Sequence, residues 1–224
     1  MDKVSLIIVS KADTEANTKM LEDTIRTATE YKGIEVEVIV VDNYYNSTEY
    51  KVIPQPEPFN YNGCLNAGAK VATGNFLAFA NNDLYFKRDA LAEMIRQMRR
   101  HRLDSASCLC PNYHKNTYAK HGVYKSYKVG IAFTGWFYMM SREAYNKLGE
   151  FRTTSNFYCS DNETVEQYKE AGIIHGLVRS TSITHLGQQT QKQLDSATYF
   201  NYTIDSVKKF NKKYNQNIFN LNDI

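Results

Sequence analysis

Three carboxylates and a histidine stand out for their positions. Asp42 follows Val38-Ile39-Val40-Val41, and Asp83 closes Asn81-Asn82-Asp83 after the run Phe76-Leu77-Ala78-Phe79-Ala80. Asp161 opens a helical pattern, and His185 ends a strand-like one. Carboxylate oxygens accept hydrogen bonds from N–H and O–H groups, and a neutral imidazole can donate, accept or ligate. Such residues at strand ends could hold a polar ligand. They could equally close turns or cap a helix, since Asp and Asn bond readily to nearby backbone. The choice between these roles depends on whether the chain delivers them to one place.

The elements that must position them are legible. Residues 4–9 are, apart from Ser5, apolar and largely β-branched and stop at Ser10, as in a strand buried on both faces. In 17–31, Leu21, Ile25 and Ala28 recur at helical spacing behind candidate caps at Asp13 and Asn17, and Gly33 follows as a stop. A second strand at 36–41 completes a strand–helix–strand unit, the signature of a parallel α/β sheet. Ligands of open sheets bind beyond the carboxyl ends of strands, so Ser10 and Asp42 lie where a nucleotide could dock. The three prolines of 54–58 make an extended connector. A helix over 62–72 and a strand over 76–80 then bring Asn81-Asn82-Asp83 to the same rim. An amphipathic helix spans 90–100 with Arg96, Arg99 and Arg100 on its solvated side. Further on, the sequence predicts mixed strands and tyrosine-rich loops over 105–137, a helix from Ser141 to Gly149, a helix over 161–171, a strand over 173–183 and a helix over 196–214.

In order as well as type, the landmarks Val40-Val41-Asp42-Asn43, Asn66-Ala67-Gly68, Ala72-Thr73-Gly74, Asn81-Asn82-Asp83, Phe157-Tyr158-Cys159-Ser160-Asp161 and His185-Leu186-Gly187 resemble glycosyltransferase family 2. The resemblance implies an α/β fold of GT-A type: one compact domain with a mixed, mostly parallel, Rossmann-like sheet flanked by helices. It divides the work into a nucleotide-sugar-binding half (1–105), an acceptor-binding and catalytic half (106–195) and a C-terminal helix and tail (196–224). It also implies inverting transfer of a sugar from a nucleotide diphosphate donor, a UDP-sugar in the first instance, to a hydroxyl acceptor.

On that resemblance Ser10, Asp42, Asn66, Asn81 and Lys192 contact the donor. Asp83 and His185 hold a divalent cation, manganese or magnesium, that stabilises the departing diphosphate. Asp161 is the general base that activates the acceptor hydroxyl, with Glu163 behind it. Gly135 and Trp136 meet the acceptor, although Trp136 could instead pack in the core. The chain departs from the family pattern at Asn81 and Ser160, where acidic residues are expected, and at Leu65, where many relatives carry an arginine facing the donor. Lys192, Lys70 or the metal must then carry more leaving-group charge. Losing those acidic groups also leaves open a nucleotide-sugar binder without transfer activity.

Composition sets wider bounds. A net charge of +3 over 224 residues is too mild to demand a polyanionic partner, and the acceptor could be a glycan or a hydroxymethylated base of DNA. Charge near Arg96–Arg102 and Lys208–Lys213 motivates the DNA reading; solvated helix faces explain it as well. Ser10-Lys11-Ala12-Asp13 is not the Gly-rich phosphate loop of a nucleotidyltransferase. The four cysteines lack CxxC spacing, so no zinc site is expected, and reduced thiols together with the missing signal peptide point to a cytoplasmic protein without a transmembrane segment.

Overall fold

The computed structural model describes residues 2–31, 33–114, 122–187 and 195–218. Strand β1 (Lys3–Val9), helix α1 (Glu15–Thr29), β2 (Glu35–Val41), β3 (Lys51–Ile53), α2 (Tyr61–Val71) and β4 (Phe76–Asn81) form the first half. They are followed by β5 (Leu84–Phe86), α3 (Ala90–His101), β6 (Ser105–Leu109), β7 (Val123–Lys125), β8 (Phe137–Ser141), α4 (Arg142–Leu148), α5 (Ser160–Ala171) and β9 (His175–His185). A C-terminal arm comprises α6 (Ser196–Phe200), a π-helical turn (Asn201–Asp205) and α7 (Ser206–Tyr214).

The strands run in the order β3-β2-β1-β4-β8-β6-β9-β5, with β7 also on β9. Pairing is parallel across β3, β2, β1 and β4 and again between β6 and β9; β8, β5 and β7 join antiparallel. The expected parallel character therefore governs the first half of the chain, and the second half is mixed.

Alternation along the strands explains the layers, because successive side chains of a strand point to opposite faces. Val4, Leu6 and Ile8 of β1 face one core with Leu21 and Ile25 of α1 and Met94, Ile95 and Met98 of α3. Ile7 and Val9 face the other, with Cys64 and Leu65 of α2, Tyr145 of α4 and Tyr168 of α5. Leu65 is thus a core residue. Helix α1 is capped by Thr14, whose side chain accepts from Asn17 N, rather than by Asp13 or Asn17. Among the described residues no helix is long and apolar enough to cross a membrane. All four cysteines are free and buried.

Candidate active site

The rim at the carboxyl ends of β1, β2 and β4 forms first. Ser10 N donates to Val41 O at 3.1 Å, and Ser10 Oγ accepts from Asn82 Nδ2 at 3.2 Å, so one serine ties three strand ends. Asp42 is buried, and its carboxylate accepts from Ala12 N at 2.8 Å, Tyr44 N at 2.6 Å and Tyr45 N at 3.1 Å. A carboxylate offers about four acceptor positions, so most of this one is spent shaping the loops around it. Asp42 thus orders the turns that follow both β1 and β2.

Asp83 and His185 come together through a strand that the sequence did not announce. Leu84 of β5 pairs with His185 of β9, and Leu186 N donates to Asp83 O at 3.1 Å. Gly187 N then donates to Asp83 Oδ2 at 3.0 Å. Asp83 Oδ1 lies 3.2 Å from His185 Nε2, yet the two are not aligned as a hydrogen bond. Among the described residues, Asp83 Oδ1 and both His185 ring nitrogens are buried without a hydrogen-bond partner. Unsatisfied buried polar atoms are costly, and a carboxylate oxygen beside an imidazole nitrogen is the donor set a borderline divalent ion accepts. The pair therefore fits a cation held by two protein ligands. Among the described residues no group of three or more His, Cys, Asp or Glu could hold a metal alone.

Residues of α2, the Gly135-Trp136 turn and α5 close on the same point. Tyr61, at the start of α2, donates through its hydroxyl to Asn81 Oδ1 at 2.8 Å and reaches Gly135 O at 3.3 Å. Asn81 N donates to Trp136 O at 2.9 Å, and the Trp136 ring stacks on His185 at 5.1 Å between centroids. A Cβ on Gly135 would sit 2.9 Å from Asp161 Cβ and 3.3 Å from its Oδ2, so only glycine lets the Gly135-Trp136 turn approach this carboxylate. Burial pushes the Asp161 carboxyl above its ordinary value, against the bonds from Asn162 N and its own backbone amide that favour the charged form. A place in the first turn of α5 would lower it, and desolvation wins. Tyr61 is the functional residue the sequence reading missed; a tyrosine opening a helix carries no signal of a contact with Asn81, twenty residues on.

Several expected contacts fall elsewhere. Asn66 is spent on the backbone of Phe151, donating to its O at 2.8 Å and accepting from its N at 2.9 Å, so it supports the loop before α5 and does not face the donor. Asn60 and Asn62 serve the same loop, at Thr153 O, Ser155 O and Arg152 O. Lys70 pairs with Glu150. Glu163 is fully buried, accepts from Thr154 N and Ser155 N and pairs with Lys213 of α7 at 2.8 Å, which removes it from the chemistry. Arg96 pairs with Glu93, and Arg99 with Asp2 at 2.6 Å, so the α3 arginines are partly neutralised. Lys192 and its polar run lie outside the described residues. A groove of about 920 Å³ between α1 and residues 45–52 shares none of the site residues.

The profile of glycosyl transferase family 2 matches residues 5–162, from β1 through the start of the helix that carries Asp161. The chain belongs to this family. No curated protein sequence matches it. Solved structures share the fold at low identity. A mannosyltransferase from Pyrobaculum calidifontis in complex with GDP-Man and Mn2+ is 15% identical with a TM-score of 0.67, over 96% of this chain and 65% of that one. GalNAc-T7 with UDP, GalNAc and Mn2+ is 13% identical with a TM-score of 0.64, over 83% of this chain and 43% of that one. A Drosophila β-1,4-galactosyltransferase 7 variant with manganese, UDP-Gal and xylobiose is 14% identical with a TM-score of 0.55, over 88% and 75%. The chain thus spans less than half of the second of these proteins.

Proposed function

We propose that this family member transfers a sugar, with inversion, from a nucleotide diphosphate donor to a hydroxyl acceptor, the donor rim being formed by Ser10, Asp42 and Asn81. A UDP-sugar is the donor to test first, with a GDP-sugar as comparison. The observation that carries the reading is the convergence of Asp83, His185, Trp136, Gly135 and Asp161 at one end of the sheet, linked by Tyr61 and the Asn81–Trp136 backbone bond.

Asp83 and His185 would hold a divalent cation, which supplies positive charge to the diphosphate oxygens as the bond to the sugar breaks. Asn81, neutral where the family carries a carboxylate, leaves Asp83 as the charged ligand of the loop. Asp161 takes the proton of the acceptor hydroxyl from the face opposite the leaving group, as single displacement requires, and its raised pKa suits it to that task. Trp136 offers a partly buried ring beside the metal pair on which an acceptor sugar can stack. The division of labour between residues 1–105 and 106–195 belongs to this reading, and so does the supply of phosphate-neutralising charge by Lys192.

The test is a screen of UDP- and GDP-sugars with Mn2+, following nucleoside diphosphate release with glycan acceptors, then NMR of the product's anomeric centre. An inverted product that disappears in Asp161→Asn supports the assignment. A retained configuration would exclude Asp161 as the base of a single displacement.

A further inference from the structure

A metal-binding histidine is normally held by a hydrogen bond from its second ring nitrogen to a carboxylate or carbonyl, which fixes the orientation of the ring. His185 has no such bond among the described residues, since neither ring nitrogen has a partner. Its pose is set by other means: the Trp136 ring stacks on it at 5.1 Å between centroids and 17° between planes, and the remaining restraints come from the loop that follows β6. Cys110 Sγ accepts from His185 N at 3.3 Å, and Asn112 Nδ2 donates to His185 O at 2.9 Å. The Tyr113 ring stacks on the imidazole at 5.5 Å between centroids and 27° between planes. The loop is itself braced: His114 Nδ1 accepts from Cys110 N at 2.8 Å, and the Tyr113 and His114 amides donate to Cys110 O at 3.2 and 2.9 Å.

The same tyrosine covers the turn beyond the histidine. A Cβ on Gly187 would lie 2.2 Å from the Tyr113 hydroxyl oxygen, and Gly187 has a φ of +79°, so a side chain is excluded there twice over. The Gly187 amide is the donor to Asp83 Oδ2. Tyr113 therefore lies across both attachments of the Asp83–His185 pair while 52% of its own surface stays exposed.

Resting on the reading of Asp83 and His185 as the cation site, we propose that Tyr113 is a positioning residue for the metal, its ring stacking together with that of Trp136 to hold His185 in place of the missing hydrogen bond. Stacking needs a ring, not a hydroxyl, so Tyr113→Phe keeps the function and Tyr113→Ala loses it.

The test titrates Mn2+ alone into the full chain, reading loss of the free-ion EPR signal and change in emission of Trp136, the single tryptophan. Tyr113→Ala should bind Mn2+ about 10–100-fold more weakly, or without saturation, because removing a residue that orients a ligand costs metal affinity on that scale. Its metal-free circular dichroism and melting should match the unaltered protein, since the side chain is exposed. Tyr113→Phe should bind like the parent. A folded Tyr113→Ala that binds Mn2+ as the parent does overturns the proposal. Parental binding that His185→Ala leaves unchanged, or no parental binding, overturns the metal reading itself and the proposal with it.

Discussion

Asp161 concentrates the conflict at residue scale, because a helix N-terminus favours its charge and burial opposes it. Burial prevails, so the acid limb of turnover should lie above the range of an ordinary aspartate, whose reference value is 3.8, with activity falling as pH drops through the raised pKa. Replacing it with asparagine should lower kcat by about 10²–10⁴-fold, the usual worth of a general base, and leave donor affinity intact by calorimetry. The stability effect has the opposite sign. The folded state favours the protonated acid, so stability falls as pH rises from the unfolded value through the folded one. Asp161→Asn should therefore raise the melting temperature at neutral pH. Asp42 behaves differently, because its loss strands the amides of Ala12, Tyr44 and Tyr45. Asp42→Ala should destabilise by about 1–3 kcal/mol, the cost of leaving buried donors unpaired, measurable by urea unfolding alongside weaker donor binding.

Among the elements, α7 has a clear task. Lys213 reaches Glu163 inside α5, Val207 and Phe210 cover Cys159 at its start, and Tyr158 N donates to Tyr202 O in the π-helical turn. The C-terminal arm thus clamps the helix that presents Asp161. Lys213→Met should cost on the order of 1–3 kcal/mol, below the ~3–5 of a fully enclosed pair because Lys213 is partly solvated. It should also lower kcat more than it raises the donor KM, and an unchanged kcat would detach the arm from catalysis. Glu37 joins elements at the β1–β2 end of the sheet. Burial would raise its pKa, but bonds from Ser5 Oγ and Thr73 N and the charge of Lys51 bring it down to about 2. A depressed carboxylate stabilises above its unfolded value and loses that contribution as pH falls. Acid unfolding should accordingly steepen between about 4.5 and about 2, and Glu37→Gln should flatten that slope.

Over the whole molecule, each face of the sheet is covered by residues from both halves of the chain. One core joins Val4, Leu6 and Ile8 to Phe137, Met139 and Val178; the other joins Ile7 and Val9 to Phe133, Tyr138 and Tyr168. The proposed boundary near residue 105 therefore cuts through a shared core. A fragment ending there leaves β4 without its antiparallel neighbour β8, and it should remain unfolded by circular dichroism while the full chain melts in a single transition.

The sequence by itself determined the first half of the sheet and the residue types of the site. The period of each long element is written locally, so β1, α1, β2, α2, β4 and α3 follow from apolar spacing, and the order of polar landmarks carried the family resemblance. Only the tertiary structure decided which polar residues are brought together. Asn66 and Asp161 both sit on helices behind loops. The amide of Asn66 is spent on Phe151, whereas the carboxyl of Asp161 lies against Gly135. Three-residue β5 has too few residues to show a period, yet its pairing with β9 sets Asp83 against His185. Tyr61 and Tyr113 likewise meet the site across 20 and 72 residues of chain. Such meetings depend on long-range pairing and packing, which no local pattern encodes.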